Sequence, residues 1–170
     1  MFRTKSRKLT LSTLFGVAIF ILKIILPAPL DKFLFAPQVL FLAFGSLLME
    51  VYGAIFVSLV SGSLTALLKP STALTNFVFS LIYGLLVDIF ILGFKVKTPE
   101  RTVRLYRIIA SLALSSAIIG VLSYYTAVIL EIAPFNTIIM LVTLLSGVIN
   151  GSIAGYLTEY IWRKKLYLAT

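Results

Sequence analysis

Apolar runs long enough to cross a bilayer follow one another along this sequence, separated by prolines, short polar turns and clusters of positive charge. A hydrocarbon core about 30 Å thick takes roughly 20 apolar residues per helix, so the length allows at most about six passes with short connections. The chain has 170 residues, 60% of them hydrophobic and only 12% charged. Its mean hydropathy is +1.08. A soluble domain has too little polar surface to cover that much apolar material, since about half apolar is usual. The expectation is an all-α integral membrane protein, with residues 1–170 forming a single transmembrane domain and no soluble one.

Helices are expected over about 9–26, 38–50, 53–68, 73–94, 108–130 and 135–162. The first follows a basic start directly and is too long for a signal-peptide core. The residues after it (Pro27, Ala28, Pro29, Leu30, Asp31) make a poor cleavage site, so it reads as a retained helix. Pro27 and Pro29 end it, and a loop to Pro37 follows. The apolar stretch 38–68 is ambiguous. As one helix it would be about 46 Å long, too long for the core without strong tilt; as two, each is short.

Charge selects two. Lys and Arg favour the cytoplasmic side. With six passes, the clusters Arg3, Lys5, Arg7, Lys8, then Lys95, Lys97, Arg101, Arg104, Arg107, then Arg163, Lys164, Lys165 all fall on one side. Only Lys23, Lys32 and Lys69 stay near the other. Five passes would strand a basic cluster outside. The sequence therefore predicts a six-transmembrane-helix bundle with both termini cytoplasmic and a tight inner hairpin at Glu50-Val51-Tyr52-Gly53. This topology also accounts for the net charge of +9, which points to lipid headgroups and not to nucleic acid. Arg101, Arg104 and Arg107 would share a face on a short helix, suited to anionic headgroups or an acidic partner.

Buried polar groups are costly in a membrane, so their depth is informative. In the last helix Asn136, Met140, Thr143, Gly147 and Asn150 recur at steps of four and three, within one arc. Tyr124, Tyr125 and Glu131 stand at matching outer depth, and Asn76 and Tyr83 line the outer half of the fourth helix. Together these nine (Asn76, Tyr83, Tyr124, Tyr125, Glu131, Asn136, Met140, Thr143, Asn150) form a candidate substrate pocket open to the outside. The blander readings are an aromatic belt for the tyrosines and a backbone partner for Asn150. Asp88 and Glu159 lie near the inner headgroups, where Lys95 or Arg163 are candidate partners. Glu50 is a candidate cap for the inner hairpin. Small residues at Ser12 and Gly16, and at Gly147, Gly151 and Gly155, allow close helix approach, inside the bundle or against another subunit.

There is no cysteine and no histidine, so thiol, imidazole and Cys/His metal chemistry are excluded. No glycine-rich phosphate loop with lysine occurs, and no carboxylate cluster that would make a metal site or an acid–base dyad. The residues point to a binding or assembly subunit that is not an enzyme and needs no cofactor or metal.

In overall layout the chain resembles the substrate-binding S components of energy-coupling factor (ECF) vitamin transporters of bacteria and archaea. The segments carrying the resemblance are Leu26-Pro27-Ala28-Pro29, the dense stretch from Gly45 to Gly53, Tyr83-Gly84-Leu85-Leu86-Val87-Asp88, and Gly147-Val148-Ile149-Asn150-Gly151-Ser152 before a basic C-terminus. The resemblance implies a prokaryotic plasma-membrane protein holding a vitamin in its outer half, among the fourth to sixth helices, beneath the first outer loop. It implies docking on a transmembrane T component through small residues of the first helix, here Ser12 and Gly16, in place of the alanines more usual there. Two cytoplasmic ATPase subunits would drive the cycle. Aromatics with Glu131 or Asp31 would suit a cationic or neutral ring, with thiamine or its pyrimidine precursor preferred and riboflavin or queuosine-type precursors next. The alternatives are a non-catalytic structural or assembly subunit of another membrane complex, or a small channel or carrier.

Overall fold

A computed structural model describes residues 5–25, 35–49, 52–68, 70, 73–97, 103–131 and 134–166. It is an all-α bundle of six helices: α1 (Lys5–Ile25), α2 (Phe35–Met49), α3 (Gly53–Leu68), α4 (Ala73–Gly93), α5 (Leu105–Ile129) and α6 (Thr137–Ile161). A wide final turn, Trp162–Leu166, extends α6. Four helices (α1, α4, α5 and α6) are long and apolar enough to cross a membrane. Their outward faces carry large apolar side chains such as Leu85, Ile89, Leu114, Leu145 and Ile149, as lipid contact requires. The chain is a multi-pass membrane protein.

The stretch 38–68 is two helices. α2 ends at Met49 and α3 begins at Gly53, with Tyr52 left-handed at φ 60° in the turn between them. The return is tight because glycine faces glycine: a β-carbon on Gly53 would collide with the Gly45 carbonyl oxygen. At 15 residues, α2 spans only about 22 Å. It can be short because it is the central helix, packed by all five others. Val39, Leu42, Ala43 and Leu47 are essentially inaccessible. Phe15 of α1 stacks on Phe41 at 5.6 Å between centroids and tilts onto Phe44 at 5.8 Å.

Two boundaries differ from expectation for identifiable reasons. α2 starts at Phe35, so Pro37 lies inside its first turn and not in the loop. A first-turn N–H has no intrahelical acceptor, so proline costs nothing there. α5 starts at Leu105, and Lys97 pairs across a short hairpin with Val103. Arg104 and Arg107 therefore do not belong to a separate basic helix. Arg107 instead donates to the carbonyls of Phe94 (3.3 Å) and Lys95 (3.2 Å) just beyond the end of α4. Arg101 lies outside the described residues.

The same inner end is tied together by two long-range contacts. Lys97 Nζ donates to the Leu47 carbonyl at 3.2 Å, capping α2. The Asp88 carboxylate accepts from the N–H groups of Ala54 and Ile55. Asp88, assigned from sequence to Lys95 or Arg163, is thus the N-terminal cap of α3. Glu50, the sequence candidate for capping the inner hairpin, lies outside the described residues.

Candidate functional site

Five helix ends converge opposite the basic end around a cavity of about 330 Å³. α1 contributes Lys23 from its last turn, α2 Gln38 from its first, and α3 Thr65. α4 supplies Thr75, Asn76, Phe79, Ser80 and Tyr83. α5 supplies Ile119, Ser123, Thr126, Ala127 and Leu130. Spacing explains the two longer walls. On α4, steps of three and four keep residues 76, 79/80 and 83 on one face, and on α5 the same holds for 119, 123, 126/127 and 130. Asn76 to Tyr83 is seven residues, about 10 Å of depth.

The floor is closed by polar pairs inside the bundle. Tyr83 is 2% exposed, and its hydroxyl pairs with Ser116 Oγ at 2.8 Å, joining α4 to α5. Beside it Ser80 Oγ donates to the Ser58 carbonyl (3.1 Å) and lies 3.4 Å from Ser61 Oγ. Thr65 donates to the Ser61 carbonyl at 2.7 Å. A β-carbon on Gly84 would strike Ser58 Oγ and the Ala54 carbonyl, so α3 and α4 meet without a gap below the cavity. The cavity's lining extends from these packed contacts toward the helix ends opposite the basic end.

Of the nine residues expected to build a pocket, the structure brings Asn76 and Tyr83 to this cavity. The others sit elsewhere. Tyr124 is buried at the α5–α6 turn, where its hydroxyl accepts from the Asn136 N–H at 2.6 Å and lies 3.0 Å from the Asn136 carbonyl and 3.2 Å from that of Pro134. Asn136 is the N-cap of α6, its side chain accepting from the Ile138 N–H at 2.8 Å. Tyr125 is exposed, edge-on to Tyr124 and beside Phe135. This is the belt arrangement. Glu131 is exposed at the end of α5 with φ 56°. Met140 is half-buried on α6. Thr143 donates to its own helix at Ile139 and packs on Gly120. Asn150 donates to the Ser146 carbonyl at 2.8 Å.

α6 is absent from the cavity wall because its small-residue stripe is the seam with α5. A β-carbon on Gly147 would lie 2.7 Å from the Ser116 carbonyl oxygen, and one on Gly151 would strike that of Leu112. One on Gly155 would lie 2.8 Å from Ile109 Cα. Ser12 and Gly16 are likewise used inside the bundle. Gly16 faces Val60 and the Val57 carbonyl of α3. Ser12 is fully buried, and its Oγ has no hydrogen-bond partner among the described residues. The face expected to meet a partner subunit is therefore covered by α3.

Lys23, Gln38, Thr65, Thr75 and the α5 face were not singled out from sequence as site residues. The α5 stripe carries a helical-period signal, Ile119, Ser123, Thr126 and Leu130, but its polar content is low. No family model, no curated protein and no solved structure matches the chain.

Proposed function

We propose that this chain is the high-affinity substrate-binding membrane subunit of an ECF-type micronutrient importer in a prokaryotic plasma membrane. The observation that carries the reading is the outer cavity, polar at its rim, aromatic in its depth and closed on the inner side. At about 330 Å³ it falls at the small end of the range for ligand pockets. A binding subunit needs such a site. A purely structural subunit has no evident use for a cavity of this size among five helices. The layout resemblance adds the partners: a transmembrane T component and two cytoplasmic ATPase subunits. These partners would supply the energy, since the sequence offers no phosphate-cradling loop of its own. The chain then performs binding and orientation, not catalysis.

Native mass spectrometry of the protein, gently extracted from its own membrane, tests this reading. A non-lipid adduct of a few hundred daltons on the chain supports it, as does co-extraction with an ATPase-bearing complex. A bare chain held by unrelated membrane subunits would replace it with the assembly role.

A further inference from the structure

The glycines of α6 face α5, and the far side of the same helix carries a second ordered surface. Leu145, Ile149, Ile153, Tyr156 and Tyr160 are all exposed there. Steps of four, four, three and four hold them within one arc of about 80°. From Leu145 to Tyr156 the face rises about 16 Å, half of a hydrocarbon core about 30 Å thick. Tyr156 and Tyr160 then stack, with 6.5 Å between centroids and 15° between planes. Lys164 adds a further step of four. Its Nζ donates to the Tyr160 hydroxyl at 2.7 Å and lies 4.6 Å from the ring centroid. Lys164 is exposed, as is Arg163 beside it, and the apolar span that begins at Thr137 ends at Lys164. An apolar lane, an aromatic pair and a cation thus follow one another along one helix face, from mid-bilayer to the surface at the basic end.

We infer that this face of α6 holds an anionic phospholipid. The phosphate lies against Lys164 and Tyr160, and an acyl chain runs along Ile153, Ile149 and Leu145. Tyr156 packs at the glycerol-ester level, the depth of aromatic belts. The Lys164–Tyr160 bond uses one ammonium proton and one lone pair of the hydroxyl. An ammonium carries three N–H donors and a phenol one O–H, so the pair presents both kinds of donor to a phosphate. The bond also holds a flexible lysine in place before the lipid arrives, which lowers the ordering cost of binding. Charge selects the lipid. Lys164 and Arg163 put two cations at headgroup level, and each favours an anionic over a zwitterionic headgroup about fivefold. Glu159 is half-buried and lies about 100° round the helix from Tyr160, off this face. Lys97 and Arg107, also at the basic end, instead donate to helix-terminal carbonyls.

Native mass spectrometry of the full chain, delipidated in non-ionic detergent, tests this. Phosphatidylglycerol and phosphatidylcholine with the same acyl chains are added separately at equal concentration. Bound lipid is counted on wild type, Lys164→Met and Lys95→Met. Lys95 is exposed beyond the end of α4 and supplies a cation off the α6 face. Both side chains are exposed, so neither substitution disturbs the bundle. Wild type should bind phosphatidylglycerol at least about fivefold better than phosphatidylcholine, with about a fivefold reduction in Lys164→Met and no change in Lys95→Met. Equal binding of the two lipids by wild type overturns the inference, as does undiminished binding by Lys164→Met. An equal loss in Lys95→Met overturns it too, because the attraction would then belong to the basic end as a whole. Displacement of phosphatidylglycerol by an equal concentration of glycerol 3-phosphate would mean a free-phosphate site with no use for the apolar lane, and would also overturn it.

Discussion

The carboxylate of Asp88, near the inner end of α4, accepts from the backbone N–H groups of both Ala54 (3.2 Å) and Ile55 (3.0 Å) at the start of α3. One side chain thereby satisfies two of the four donors that a helix N-terminus leaves open, and it places negative charge at the positive end of the α3 dipole. Asp88 is 3% exposed, so water cannot substitute. Replacing it with Leu should strand both donors and cost about 2–4 kcal/mol. Asn keeps one acceptor and should cost about half as much. Thermal unfolding in detergent would rank them wild type, Asn, Leu. An unchanged midpoint for the Leu variant would mean the cap carries no stability.

The α5–α6 seam gives a sharper contrast. Gly151 approaches the backbone of Leu112 and Ala113 so closely that a β-carbon has nowhere to go, whereas nothing lies within 4 Å of the corresponding point on Gly93. Gly151→Ala should therefore push two backbones apart and destabilise by about 1–3 kcal/mol, the usual range for overpacking. Gly93→Ala should be neutral or stabilise by up to about 1 kcal/mol through helix propensity. Equal midpoints for the two variants would show that the seam yields freely.

These two features also mark what sequence could and could not reveal. The split of residues 38–68 was legible because charge placement is a whole-chain constraint: only an extra pass keeps the cluster from Lys95 to Arg107 with the others. The position of Pro37 inside α2 is not legible locally, because a helix-breaking residue and a first-turn residue look alike without the flanking turn. The α6 stripe of Asn136, Thr143 and Gly147 suggests a pocket wall because periodicity reports a shared face, not what that face meets. A seam and a wall have the same signature until the partner helix is known. The Asp88 cap joins residues 34 positions apart, which no local pattern encodes.

Tyr83 and Ser116 close the cavity floor through one hydroxyl pair at 2.8 Å. Tyr83→Phe and Ser116→Ala should each lower stability by about 1–2 kcal/mol, since each removes one side of a buried hydroxyl pair. The double variant should cost less than the sum, because the lost hydroxyl pair is then counted once. A double-mutant cycle in detergent measures this, with a coupling of about 0.5–2 kcal/mol expected. Strict additivity would mean that the two hydroxyls do not interact.

The outer tyrosines should separate. Tyr124 anchors the start of α6 through Asn136, while the exposed Tyr125 lies beside the rings of Tyr124 and Phe135. Tyr124→Phe removes the acceptor of the 2.6 Å bond from the Asn136 N–H. Amide exchange at Asn136 and Ile138 should accelerate about tenfold or more, as local opening becomes easier. Tyr125→Phe should leave those amides unchanged. Similar exchange in both variants would assign the turn's rigidity to the belt contacts instead.

Ser12 offers a way to separate internal packing from partner docking on α1. Its Oγ is fully buried without a hydrogen-bond partner among the described residues, four residues before Gly16, whose β-carbon would lie 2.7 Å from Val60 Cβ. Enlarging Gly16 would disrupt α1–α3 packing whatever else that face does, so it cannot isolate docking. Ser12→Ala removes the hydroxyl and keeps the shape. An unpaired buried hydroxyl is a net cost, so the variant should be stabilised by up to about 1–2 kcal/mol. If the stripe serves only the bundle, the more stable variant should also retain, as fully as wild type, any association with the proposed importer subunits. A loss of partner subunits despite a raised unfolding midpoint would mean that α1 leaves α3 during assembly and that the Ser12 hydroxyl finds its partner there.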